Sequence, residues 1–149
     1  MEIRLAQSGD IGAFVQLRAD FVCALGCLPD RAAFTAATEA YLNEHLGSDL
    51  LIRLAVDGER IAASAMLQIY DTPPLPSCLN GRHALLLNVW TDPDDRRRGL
   101  ARRLVETLIA DACEREVGMI LLNSTDDGLP LYKQLGFQSR DRAMALKLT

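Results

Sequence analysis

The run "HALLLNVWT" (83–91) limits the fold more than any other stretch, because it is a nearly continuous apolar segment, six of its nine residues being apolar. It reads as a strand buried on both faces, which requires a layer of structure above and below it. The next segment, "TDPDDRRRGLARRL" (91–104), packs turn formers and acids ahead of arginines at 96, 97, 98, 102 and 103. An apolar stripe at Leu100, Leu104, Val105, Leu108, Ile109, Ala112 and Cys113 predicts a helix over about 99–116. "GMILLNST" (118–125) is a second buried strand, so strand, turn, helix and strand follow in close order.

The flanking sequence fits the same plan. "MEIRLA" alternates as a short strand, and "SGDIGAFVQLRADFVCAL" carries a Ser/Asp cap and a helical stripe. Pro29 suits the start of a second helix, "RAAFTAATEAYLNEHL", which Gly47 stops. Two β-prone runs joined at Asp57-Gly58 form a hairpin, and the proline-rich 72–82 segment is a loop. "GLPLYKQL" is a short helix ended by Gly136, and "RAMALKLT" (142–149) is expected as a closing strand. The order β-α-α-β-β-β-α-β-α-β predicts one α/β domain over 1–149, a mixed sheet flanked by helices.

Several function classes are disfavoured. No apolar run approaches the ~18 residues of a membrane span and no leader precedes the body, so a cytoplasmic protein without membrane contact is expected. With a net charge of −4, the surface as a whole does not invite nucleic acid, and the arginines are a local positive site. Cys23, Cys27, Cys78 and Cys113 lack metal-site spacing and are expected to be buried free thiols. Neither His45 nor His83 has a ligand neighbour, so no metal is expected.

The arginine turn has a chemical purpose. The first amides of a helix lack internal partners and, with the helix dipole, attract anions. Gly99 and Ala101 keep side chains away from those amides, and the arginines add charge-assisted hydrogen bonds. A phosphate or pyrophosphate is the expected anion. The triphosphate loop and the dinucleotide fingerprint are both absent from the sequence.

Arg96-x-x-Gly99-x-Ala101 resembles the Q/R-x-x-G-x-G/A signature of the GCN5-related N-acetyltransferases (GNAT family). "NVWTDPDDRRRG" is similar to the family's strand-to-loop segment, and "LYKQLGF" (131–137) to its downstream tyrosine helix and Gly-Phe. The motifs cover residues 83–148, with alanine in place of the commoner second glycine. The resemblance implies a sheet splayed at the cofactor strands and an acyl-CoA-dependent transfer from acetyl-CoA to a small-molecule amine.

It also implies residue roles. The pyrophosphate of coenzyme A would rest on the amides of Arg97, Arg98, Gly99, Leu100 and Ala101, with Arg96 and Arg102 as charged neighbours. The pantetheine arm would lie along Val89, Trp90 and Thr91, where an N–H would hold the developing oxyanion. Asn123 matches a polar contact to the cofactor, or else ties down a turn; Trp90 could equally be core packing. Tyr132 matches the tyrosine that assists the departing thiolate, against the alternative of a half-packed ring.

The base is open among Glu39, Asp71, His83, Asn88 and Asp127. The acceptor site would be shaped by the N-terminal helices and the 72–82 loop, with a homodimer as an option; Glu39, Glu44 and Asp71 would favour a cationic amine. Two other classes compete: a catalytically silent CoA-binding module of the same fold, and a nucleic-acid binder using the arginines.

Overall fold

A computed structural model describes residues 1–140 and 142–149. Five strands form one sheet in sequence order: β1 (Glu2–Leu5), β2 (Leu50–Asp57), β3 (Arg60–Asp71), β4 (Arg82–Thr91) and β5 (Met119–Leu122). From β1 to β4 each strand is antiparallel to its neighbour, and β4 and β5 run parallel, which makes the sheet mixed as expected. Helices α1 (Ile11–Leu25) and α2 (Arg31–His45) lead from β1 to β2, α3 (Leu100–Glu114) crosses from β4 to β5, and α4 (Leu129–Gln134) follows.

The side chains divide into two cores, as strand alternation demands. On one face Ile11, Phe14 and Val15 of α1 and Leu42 of α2 pack on Leu50, Ile52, Leu54 and Met66. On the other, Leu100, Leu104, Val105 and Leu108 of α3 cover Leu51, Ala63, Ala65, Leu67, Ala84 and Leu86. The alanines of β3 and β4 are fully buried and let α3 sit close to the sheet. Arg53 of β2 fastens the layer with two hydrogen bonds to Asp111 of α3, at 2.8 and 2.6 Å.

Local chemistry sets the element ends. Ser8–Asp10 forms a 3-10 turn leading into α1, with Asp10 at the N-cap of that helix and its Oδ2 accepting from the Gln7 amide at 2.7 Å. Asp30, not Pro29, begins α2, its side chain accepting from the Ala33 amide at 3.0 Å. The β2–β3 hairpin turns at Gly58, whose φ of +62° is the left-handed conformation such turns use.

Three expectations fail. Residues 142–149 form no strand and pair with no neighbour among the described residues; Met144, Leu146 and Leu148 are 97%, 84% and 85% exposed. β5 is half-buried throughout rather than enclosed, since it is the edge of the sheet, and β4 is buried only at alternate positions towards its end. The cysteines are free, but Cys23, Cys27 and Cys113 lie on outward helix faces or ends and only Cys78 is buried.

Candidate active site

The site begins where two strands part. β4 and β5 pair from His83 with Met119 to Leu86 with Leu122, and no further. β4 runs on to Thr91 bonded to β3 alone, so from Leu87 onward its other edge has no strand partner among the described residues. A bulge turns it: Met66 faces Leu87 and Ser64 faces Trp90, one extra residue on β4. Asn88 takes the bulge with φ +53°, a conformation asparagine tolerates, and its buried Nδ2 donates to Ser64 Oγ at 3.4 Å.

Val89 packs against the core beneath α3. Trp90 and Thr91 are half-buried, and Trp90 belongs to neither core cluster.

The turn after β4 is held by its acids. Asp92 Oδ1 accepts from the Asp94 amide at 2.9 Å, and the Asp95 amide donates to the Asp92 carbonyl at 2.9 Å. Asp95 is buried; its carboxylate accepts from Arg60 at 2.6 Å and Arg98 at 2.7 Å. Hydrogen bonding to Arg60 holds its pKa below the usual carboxylate range, against the opposing effect of burial. Sequence reasoning took Asp95 for a turn former and missed Arg60 altogether. The available signal was an acid run directly before an arginine run.

Arg97 and Gly99 both have positive φ, +64° and +74°, which folds the chain tightly into α3. Arg103 makes the first helical bond, its amide donating to the Gly99 carbonyl at 3.1 Å. Among the described residues the amides of Arg96 to Arg102 donate to no carbonyl or side chain. A Cβ placed on Gly99 would meet no atom within 4 Å, so the space beside this residue is open. Arg96 and Arg97 form no salt bridge among the described residues, whereas Arg98 is spent on Asp95. Arg102 donates to Glu106 at 3.0 Å and Gln134 at 3.2 Å, tying α3 to α4. Leu100 sends its side chain into the core and leaves its amide on the arc; Ala101 is half-buried.

Tyr132 of α4 lies beside β5. Its ring is 9% exposed, packs with the α3 core and meets Phe137 edge-on at 5.8 Å. Burial raises its pKa above the ordinary tyrosine value, so the phenol is protonated throughout the neutral range. Gly128 makes room for it: a Cβ there would come within 3.0 Å of the ring. Tyr132, Asn123 and Leu122 line one groove of about 870 Å³ along β5. Asn123 is exposed just past the end of that strand.

The base candidates are not brought together. Asp71 and His83 sit where β4 begins, Asp71 beside Arg82 at 3.6 Å and His83 bonded to Thr72 at 2.8 Å. Five residues of strand, ~17 Å, separate His83 from Asn88 at the bulge. Glu39 is exposed on α2 and Asp127 is exposed in the turn before α4. Only Asn88 stands at the parting of the strands, and an amide is no base.

Known proteins share this fold. The family described as the acetyltransferase (GNAT) family matches over residues 17–137. A predicted acetyltransferase of Clostridium acetobutylicum, solved with acetyl-CoA, is 28% identical, superposes with a TM-score of 0.90 and matches 98% of this chain and 95% of its own. Glucosamine 6-phosphate N-acetyltransferase of Trypanosoma brucei brucei is 25% identical over 99% of this chain and 96% of its own length. [Ribosomal protein bS18]-alanine N-acetyltransferase of Salmonella typhimurium is 32% identical over 72% of this chain, which spans 62% of that relative.

Proposed function

The chain belongs to the acetyltransferase (GNAT) family, and on that premise we propose that it transfers an acetyl group from acetyl-CoA to a primary amine of a small acceptor by direct attack. One observation carries the reading: an arc of unpaired amides, Arg96 to Arg102, adjoins an unpaired strand edge, Leu87 to Thr91. The first suits a pyrophosphate and the second an extended amide-bearing arm. The acetyl-CoA in the Clostridium structure supports that cosubstrate. The acceptors named for two relatives, a glucosamine phosphate and a protein alanine, both belong to amine chemistry and support an amine acceptor.

The residues fit the ligand by charge and by space. The amides of Arg97, Arg98, Gly99, Leu100 and Ala101 would hold the pyrophosphate, and Arg96 and Arg97 have free guanidinium charge to add. Val89, Trp90 and Thr91 would hold the pantetheine arm, with a β4 amide placed to stabilise negative charge on the thioester oxygen. Asn123, exposed at the end of β5, would contact the cofactor from the opposite side.

When bound, the thioester supplies an activated acetyl group and a thiolate leaving group. Tyr132 keeps its proton at neutral pH because it is buried, and would donate it to the departing sulfur. A free thiol has a pKa of ~8.5, so this assistance is modest.

Ligand-induced stabilisation tests the reading. Coenzyme A and acetyl-CoA should raise the melting temperature, because a ligand bound only by the folded state stabilises it by mass action. ATP and NAD should do so much less. Equal shifts with all three would reduce the loop to a generic phosphate site. Thiol release across an amine panel then identifies the acceptor; coenzyme binding without turnover on any amine would instead support the silent module.

A further inference from the structure

We propose that Arg18 of α1 binds an anionic group of the acceptor, so that the amine acetylated by this protein carries a carboxylate or a phosphate. The inference rests on the transfer reading above and narrows its acceptor.

Arg18 continues the inward stripe of α1. It follows Phe14 and Val15 by one turn, and both of those side chains are buried in the core beneath the helix. An apolar residue would extend that stripe at no desolvation cost, whereas an arginine must give up water to occupy it. Only neutral groups receive the guanidinium. Nη1 donates to Thr38 Oγ1 of α2 at 3.3 Å, and Cζ lies 5.1 Å from the centroid of the Phe34 ring. Nε is buried with no hydrogen-bond partner.

The arginines around it are treated differently. Arg4, Arg31, Arg53 and Arg60 each meet an aspartate, at 2.8, 2.8, 2.6 and 2.6 Å. Hydrogen bonding to those aspartates raises their pKa values, while burial lowers that of Arg18, which stays charged all the same. Asp20, the nearby acid of α1, is taken by Arg31. Among the described residues Arg18 has no carboxylate within 4 Å, and neither Nε nor Nη2 bonds to the protein. That edge of the fork can grip a carboxylate or phosphate with two parallel bonds.

Arg18 lies on the face of the sheet where the cleft opens. Leu87, the first residue past the last β4–β5 rung, packs against the core shared with α1 and α2. Asn88 bonds to Ser64 and Trp90 faces it, and Ser64 alternates with Met66 of that same core. Thr38 stands three positions, ~4.5 Å of helix, before Tyr41, whose hydroxyl reaches Gln68 of β3 opposite Leu85 of β4. Arg18 is thereby held over the β3–β4 half of the sheet. An acceptor that brings its amine to the open edge of β4 from this side meets Arg18 with its other end. The acids expected to select a cation do not oppose this, since Glu39, Glu44 and Asp71 are all exposed and Asp71 stands beside Arg82 at 3.6 Å.

Thiol release with matched acceptors tests the proposal: amino acids against their amides, and phosphorylated amino sugars and amino alcohols against the unphosphorylated forms. The parent should use one anionic set about 10–100-fold better in kcat/KM than its neutral partners, the worth of a charge-assisted hydrogen bond. Which set it is separates carboxylate from phosphate. Arg18→Met keeps bulk against Phe34 and drops the charge, so it should erase the ratio through KM while the Kd for acetyl-CoA holds. Arg18→Lys should restore part of the ratio. Neutral amines or diamines preferred by the parent would overturn the proposal, as would a ratio that survives Arg18→Met. If no amine turns over, the transfer reading fails by itself, and binding decides the role of Arg18. With coenzyme A saturating, so that the arginine turn is filled, inorganic phosphate or acetate should raise the melting temperature of the parent more than that of Arg18→Met. Equal shifts, or none, in the two proteins would overturn it.

Discussion

Leu86 of β4 faces Leu122 of β5, and this pair is the last rung of the parallel ladder. Beyond it the strands part, because the bulge at Asn88 re-aims β4 while β5 ends at Leu122. The cleft therefore depends on one residue with positive φ. Asn88→Gly should keep the bulge, since glycine accepts φ +53° without a steric penalty. Asn88→Val should cost ~1–2 kcal/mol in urea denaturation and weaken acetyl-CoA binding, measured by calorimetry. Equal stability and affinity in the two variants would mean that the bulge does not shape the cleft.

Asp95 should make the loop sensitive to acid. Its folded pKa lies below the unfolded value of ~3.9, because Arg60 and Arg98 bond the charged form. The sign follows: the contribution to stability is fully present above the unfolded pKa and is lost as pH falls through the folded one. Asp95→Asn should thus melt earlier than the parent at pH 7, and the gap should narrow below about pH 4. Melting curves from pH 3 to 7 check this; a gap that stays constant would show that packing rather than charge holds the loop.

Tyr132→Phe removes one oxygen and keeps the ring that packs on Phe137 and the α3 core. If the hydroxyl assists thiolate departure, the loss appears in kcat and not in cofactor binding. We expect a fall of about 10–100-fold, the low end for general-acid help, given that a thiolate already leaves well. The Kd for acetyl-CoA should barely move. A kcat within about twofold of the parent, with acyl transfer rate-limiting, would make Tyr132 a packing residue.

Much of this was legible in the sequence because its cues are local. The stripe from Leu100 to Ala112 gave α3, and the Arg96 to Ala101 pattern gave the turn with Gly99 at φ +74°. What escaped depends on contacts distant in the chain. Arg60 reaches Asp95 across 35 positions, and the bulge at Asn88 exists only against Ser64 and Met66. Burial of β5 was overestimated for the same reason, since four apolar residues look alike at the centre of a sheet and at its edge. The tail reads as a strand because alternation is local, whereas a strand also needs a neighbour, and residues 142–149 pair with none among the described residues. The base stayed open because an acid's type says nothing of its distance from the cleft, and the structure sets Asp71 and His83 at the far end of β4.

The central claim is that the amides from Arg96 to Arg102 hold the diphosphate of coenzyme A, and calorimetric titration of acetyl-CoA into Gly99→Val beside the parent tests it most directly. A Cβ there would meet no atom within 4 Å, so the fold should survive, with a cost of ~1–2 kcal/mol from φ +74° checked by circular dichroism. If the pyrophosphate rests on the amides of this turn, a branched side chain at Gly99 should keep it from approaching them. The account predicts that the parent binds acetyl-CoA and that the folded variant binds it more than tenfold more weakly, roughly 1.4 kcal/mol or more. A folded variant with the parent's affinity would contradict it.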